Sequence, residues 1–439
     1  MTDATQPPSY GAATARAERV VHRCGELALC TEVPNETTRT FLAPSMHRVH
    51  TLLGGWMRAA GMEVRVDAAG NLRGLLRAED PTVPRLLIGS HLDTIPNAGA
   101  YDGVLGVVLG VALVEEAGKS LPFAIEVVGF SEEEGVRFSK PFLGSLALIG
   151  QLDAATLART DRSGVTVAEA IRHFGLNPDE LPAAQLDDSA IGYVEFHIEQ
   201  GPVLESEDRP LGVVSAIAGQ TRMQFTFSGQ ANHAGTTPMG RLRRDALAAT
   251  SQWVVEVERY ANACPGLVAT VGKVEVPAGA GNVITGEVNA TLDVRHARDD
   301  VRQAAVRHYI DYASAAGVGR RVTAAHSTSI DQAAVPMDSA LAALLADSGL
   351  RATGRELHRM TSGAGHDAMI VARRIPAAIL FLRSPGGLSH HPDEAVVPGD
   401  VEAALATGVE FLRRLRDDRA MLTRLTGHPL QPPPEDLHA

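Results

Sequence analysis

Apolar positions recur along this chain with different periods, and the change of period marks where one kind of sheet gives way to another. Around Pro44–Ala60, Leu52, Leu53, Trp56 and Met57 fall on one side at helical spacing. The stretch MEVRVDAAGNLRGLLR alternates and breaks at Gly70–Asn71, which predicts two strands and a turn. PRLLIGSHLDT reads as a wholly apolar strand that stops at polar residues. Val104–Ala117 reads as a buried helix, and AIEVVGFSEEEG as a second apolar strand with a polar end. Apolar strands alternating with helices predict an α/β fold around a mixed, mostly parallel sheet covered on both faces. In such sheets chemistry gathers beyond the carboxyl ends of the strands, and both polar clusters sit at such ends.

From about Leu211 the texture changes. TRMQFTFSG alternates, Arg244–Tyr260 is helical, LVATVGKVEV and GEVNATLDVRH read as strands, Asp300–Ala315 as a helix and RRVTAAHST as a strand. That β-α-β-β-α-β order is the ferredoxin-like split βαβ sandwich, an α+β unit inserted over residues 212–329 that can act as a lid. IPAAILFLRSPGG is again an apolar strand ending in polar residues, so the first domain, 1–211, is expected to resume over 330–439. Residues up to about Ala15 and the QPPPEDLHA tail read as frayed ends.

Composition narrows the function. With 439 residues, 45% apolar and 21% charged, the chain can build two or three cores. Its formal charge of −12, with no long basic run, speaks against a nucleic-acid partner. An anionic substrate would have to be met by a few placed arginines. The stretch Val104–Val114 is interrupted by Gly106 and Gly110 and is too short to span a bilayer, so no membrane association is expected. No export or transit signal is read in MTDATQPPSYGAATARAERV. Cys24, Cys30 and Cys264 form neither a disulfide framework nor a CxxC pair, which suits a reducing, cytoplasmic compartment.

Five short clusters carry candidate chemistry: GSHLDT, AYDGVLG, SEEEGVRF, VEFHIEQGPVLE and GLSHHPDE. They offer His91, Asp93, Asp102, Glu133, Glu134, His197 and His390. Imidazole and carboxylate donors suit zinc, manganese, cobalt or nickel, and two such ions held close together need one carboxylate to bridge them. Singly, each has a plain structural reading. A His at a strand end is commonly a hydrogen-bonded residue, and a Glu-Glu-Glu run a solvated face. Gly103, Gly106 and Gly110 match neither GxGxxG nor GxxxxGK[ST], so close helix packing explains them better than a nucleotide loop. Five clusters at successive strand ends and adjoining turns weigh more than any one.

The ordered string GSHLDT…DG…SEEEGVRF…HIEQGP…GQANHAGTTPM…NVI…SGAGHDA…GLSHHPDE resembles the hydantoinase/carbamoylase branch of the co-catalytic metallopeptidase-type amidohydrolases, from about Arg39 to about Ala404. The resemblance implies two divalent ions per subunit, Mn2+ or Zn2+, with Co2+ or Ni2+ as further candidates. His91, Asp102 and His197 would hold one ion, and Asp102 would bridge to a second completed by Glu134 and His390. Asp93 would orient His91, and Glu133 would be the general base for a water activated by the metals. His390 is taken over His391 because it directly follows Gly-Leu-Ser. Gly135, Arg137 and Phe138 align the acidic run to place the base at Glu133. His233 would stabilise the oxyanion, reaching the partner subunit of a homodimer formed through the lid. Asn282 and Arg295 would clamp the substrate carboxylate, though Arg295 also reads as a strand-end surface charge. Gln200 and Gln220 would contact the substrate amide, and His366 would line its pocket. The implied substrate is a small anionic ureido compound. Allantoate comes first, on YDGVLGV, FLGSLAL and GYVEFHIEQGPVLE and on the acidic Glu132, a potential acceptor for a second ureido group. N-carbamoyl-L-amino acids and β-ureidopropionate are alternatives, and a catalytically silent ligand-binding homologue is the reading from another class.

Overall fold

The computed structural model describes residues 14–80, 82–117 and 121–426. The ends expected to fray lie outside these residues, except that Thr14 caps a helix running from Ala15 to Ala28. The chain divides into two compact units. One comprises the described residues up to Ser215, Met337–Met360 and those from His366. The other comprises Ala216–Pro336 and Thr361–Gly365.

In the first unit the sheet runs in the order Glu63–Val66, Leu72–Leu76, Ala124–Phe130, Arg85–His91, Ala190–Ile198, Ala377–Leu382, Leu211–Ile217. The four strands at its centre are parallel and the flanking ones antiparallel. The central strands are mostly apolar because they are covered on both faces: Ala377–Leu382 and Ala190–Ile198 are buried at every position. The helix Val104–Ala117 is buried from Val104 through Val114. The glycines read as packing sites do that job. A Cβ on Gly106 would fall 2.0 Å from the carbonyl oxygen of Phe196. One on Gly103, whose φ is +67°, would strike the His91 ring. Register brings the parallel strand ends level, with His91 beside Phe130 and His197 beside Phe381. The loops beginning at Leu92, Ser131, Glu199 and Arg383 therefore leave from the same edge of the sheet.

The second unit is the predicted antiparallel sandwich. Its strands lie in the order Val274–Glu275, Glu287–His296, Gly219–Ser228, Thr323–Gln332. The helices Ala246–Ala263 and Asp299–Arg320 pack on one face, enclosing Phe225, Phe227, Trp253, Leu292 and Tyr309. The expected strand LVATVGKVEV is divided into Val268–Thr270 and Val274–Glu275, both paired with Glu287–His296. The break falls at Gly272, which has no side chain to pack on the sheet. No helix among the described residues is long and apolar enough to cross a membrane.

Candidate metal centre

Four strand ends and the turn before Val104 converge on a small group of acids and imidazoles. His91 and His197 end adjacent parallel strands and are 2% and 1% exposed. Each ring is fixed through Nδ1, which contacts a backbone carbonyl: Asp93 at 3.0 Å for His91 and Ile198 at 2.8 Å for His197. A carbonyl only accepts, so both Nδ1 atoms carry a proton, and in the neutral rings each Nε2 lone pair is left for another partner. Those two Nε2 atoms face each other at 3.4 Å. The Asp102 carboxylate lies against both, with Oδ1 3.2 Å from His197 Nε2 and 3.6 Å from His91 Nε2. Its other oxygen is 3.4 Å from His390 Nε2, which is itself 3.7 Å from Glu134 Oε1.

This donor set fits divalent cations. Two imidazole lone pairs and a carboxylate directed at one point repel each other unless a cation lies between them. Asp102 Oδ1 is buried, and no described residue other than the two facing imidazoles approaches it as a donor. Among the described residues three donor groups lie within coordination reach: His91, Asp102 and His197; His91, Glu133 and Glu134; Asp102, Glu134 and His390. Asp102 turns Oδ1 to His91 and His197 and Oδ2 to His390, as a bridging ligand would. Burial and the neighbouring Asp102 push Glu134 up to about 8. Burial likewise pushes Glu133 well above the usual carboxylate range, with Glu134 and Asp367 adding to it although His91 opposes. So many carboxylates out of water require compensating positive charge.

The remaining candidates divide. Asp93 contacts His91 and also receives the backbone N–H groups of Glu133 and Glu134, at 2.9 and 3.1 Å, so one carboxylate orders both acids. Glu133 is 9% exposed, and no described side chain hydrogen-bonds its carboxylate. Gln200 donates through Nε2 to Asp102 Oδ2 at 3.0 Å and to Ser389 at 3.1 Å, leaving its amide oxygen for other contacts. His366 is buried edge-on against His197, their ring centroids 4.5 Å apart. His391 lies outside the three donor groups; its Nδ1 accepts from the Asp393 N–H. In the second unit, Val283 pairs with His233, and the Asn282 carbonyl accepts from Ala234, which sets Asn282 beside His233. Gln220 and Arg295 face each other across paired strands and both donate to Asp293.

Glu132 does not stand where a substrate contact requires. It is 0% exposed, and one oxygen accepts from the Gly135 N–H. A residue missed in the sequence is Glu394, whose Oε1 accepts from the N–H groups of both Tyr101 and Asp102 at 3.0 Å. It closes the GLSHHPDE string, and its spacing from His390 was the available signal. Arg39, fully buried, donates to the Leu92 carbonyl at 3.0 Å and props the loop between His91 and Asp93 from behind.

The chain matches the model of peptidase family M20/M25/M40 over residues 87–417. A probable allantoate deiminase from Oryza sativa subsp. japonica is 37% identical, across 92% of this chain and 90% of its own. An N-carbamoyl-L-amino acid amidohydrolase from Geobacillus stearothermophilus is also 37% identical, across 90% of this chain and 97% of its own. The crystal structure of a hydantoinase/carbamoylase family amidase from Burkholderia ambifaria superposes with a TM-score of 0.82 at 33% identity, covering 90% of this chain and 95% of that one. Fold, donor set and relatives agree: the chain belongs to the M20/M25/M40 family, in its hydantoinase/carbamoylase branch, and is a hydrolase of carbon–nitrogen bonds.

Proposed function

We propose that this hydrolase cleaves a ureido C–N bond of a small anion, with allantoate as first substrate, giving ureidoglycine, ammonia and carbon dioxide. The observation that carries the reading is a Glu133 carboxylate, hydrogen-bonded by no described side chain, beside a five-residue donor set sharing Asp102. His91, Asp102 and His197 would hold one divalent ion, and Asp102, Glu134 and His390 a second. Such ions supply Lewis acidity and bring the pKa of a water toward neutrality. Glu133 then takes a proton at its carboxylate and delivers it to the leaving nitrogen. The inserted unit is read as a lid and dimerisation domain of a cytoplasmic enzyme, in keeping with Cys24, Cys30 and Cys264 as free thiols.

Allantoate rests on the likeness to the rice relative, since Glu132 is closed to substrate. The equal likeness to the Geobacillus relative supports N-carbamoyl-L-amino acids as a second reading. Ammonia release from allantoate, N-carbamoyl-L-amino acids and β-ureidopropionate, after reconstitution with Mn2+, Zn2+ or Co2+, separates the two. Allantoate is expected to give the highest kcat/KM. Turnover of none of the panel would leave the silent homologue.

His233 is the proposed oxyanion donor. Its Nδ1 accepts from the Gly235 and Thr236 N–H groups at 3.0 and 3.2 Å, so the proton sits on Nε2, facing outward as a donor. An oxyanion donor contributes about 3 kcal/mol, so His233→Ala should lower kcat by about 10²–10³-fold with metal content unchanged. If the donor comes from the neighbouring subunit, mixing His233→Ala with Glu133→Gln chains regains activity, because one hybrid site holds both intact residues. Mixed dimers that form yet stay inactive rule out the exchange.

A further inference from the structure

On the second unit's sheet, alternation sends Met223, Phe225, Leu292 and Val294 under the helices. Gln220, Arg222, Asp293 and Arg295 stand on the other face. Register sets Arg295 opposite Gln220 and Asp293 opposite Arg222. Asp293 is the hub of this group. Arg295 donates to it from Nε at 2.8 Å and from Nη2 at 3.1 Å, a fork on two oxygens. Gln220 Nε2 donates at 2.6 Å and Arg222 Nε at 2.8 Å, both to Oδ2. Arg295 Nη1 donates further to the Gly363 carbonyl at 2.5 Å.

An ion pair on a strand surface ordinarily contributes little. This one differs in being shared and forked. Its central pair is partly buried, with Asp293 26% and Arg295 28% exposed, while Arg222 lies at the exposed side. The Asp293 carboxyl is held below its ordinary range: burial opposes, but the bonds from Arg295 and Arg222 outweigh it. Of the five N–H donors of a guanidinium, Arg295 has three committed, and the carboxylate and carbonyl together fix its plane. Two donors remain on that fixed plane, and the Gln220 amide is turned so that its oxygen is free of Asp293. The group holds two cations and one anion, so it keeps a positive excess.

We propose that Asp293 is a positioning residue for substrate recognition: it locks Arg295 and Gln220 as a preformed fork for the carboxylate and neighbouring amide of the substrate. The inference rests on the reading of Arg295 and Gln220 as substrate contacts, and adds what holds them. A flexible arginine must be ordered at each binding event, whereas a preformed one has lost that freedom beforehand.

Charge and position give opposite signs, which makes the test decisive. Asp293→Asn removes a negative charge beside two arginines, so simple attraction predicts a lower KM for an anionic ureido substrate. Loss of the fork predicts a KM raised by about tenfold or more, with metal content and melting temperature retained. Asp293→Glu keeps the charge but moves the carboxylate by one methylene. It should also raise KM, which a purely electrostatic role would not do, and it serves if Asp293→Asn folds poorly. With a substrate analogue whose carboxylate is replaced by a primary amide, both effects should shrink toward unity. Arg295→Met tests the underlying reading separately. If it leaves KM unchanged, Arg295 is no carboxylate contact and the inference falls with that assignment. If Arg295→Met raises KM strongly while folded Asp293→Asn and Asp293→Glu do not, the contact stands and the positioning role is overturned.

Discussion

Stripping divalent ions with a chelator is expected to abolish turnover, and Mn2+ or Zn2+ readdition to restore it, with elemental analysis approaching about two ions per chain. The need for the ions is electrostatic before it is catalytic. Asp102, Glu133 and Glu394 are buried with a partly buried Glu134 beside them, and Glu394, pushed up to about 7 by burial and by Asp102, adds to the same crowding. Cations between them offset charge that the protein's own side chains leave unbalanced. The folded state should therefore lose stability as well as activity when the ions leave. An ion present at about a hundred times its Kd adds about 2.7 kcal/mol by mass action, visible as a lower melting temperature in the chelated protein. Full activity in excess chelator, with no bound metal, would overturn the proposed chemistry.

Glu133→Gln is expected to lower kcat by about 10²-fold or more while metal content persists, the scale of losing a general base. Geometry separates this residue from its neighbour. Glu134 belongs with Asp102 and His390 in one donor group, whereas Glu133 occurs only with His91 and Glu134. Glutamine at 133 keeps the shape and the backbone N–H bond to Asp93 but cannot take a proton. Glu134→Gln should instead weaken one metal site, lowering metal content and making activity depend on added ion. If the two variants behave the other way round, the roles of the two acids are exchanged.

Much of this protein was legible in the chain because periodicity reports which face of an element is buried. The helix Val104–Ala117 and the strands around Gly219–Ser228 and Glu287–His296 follow directly from their apolar patterns. The donor residues were legible as a set through the strings that carry them, at the ends of apolar strands. Which way a loop side chain turns was not, because that depends on backbone dihedrals that no pattern of polarity encodes. Gln200 and His390 both sit at positive φ, 60° and 57°, an unfavourable region for residues other than glycine. Those turns send the Gln200 amide onto Asp102 and His390, rather than His391, toward Glu134.

Glu132 shows the same division. The sequence marks an acidic run but not which members face the cluster, and the tertiary structure closes Glu132 off while leaving Glu133 at the site. Glu394 and Asp293 belong to the tertiary structure as well. Their partners, Tyr101 and Asp102 for one and Gln220 and Arg222 for the other, are distant in the chain and meet only through packing or strand register. Local sequence thus determined the elements and the chemical types of the donors. The register of the parallel strands, level at His91, Phe130, His197 and Phe381, decided that those donors share one point. Long-range pairing must be satisfied by the whole sheet at once, so no single segment carries it.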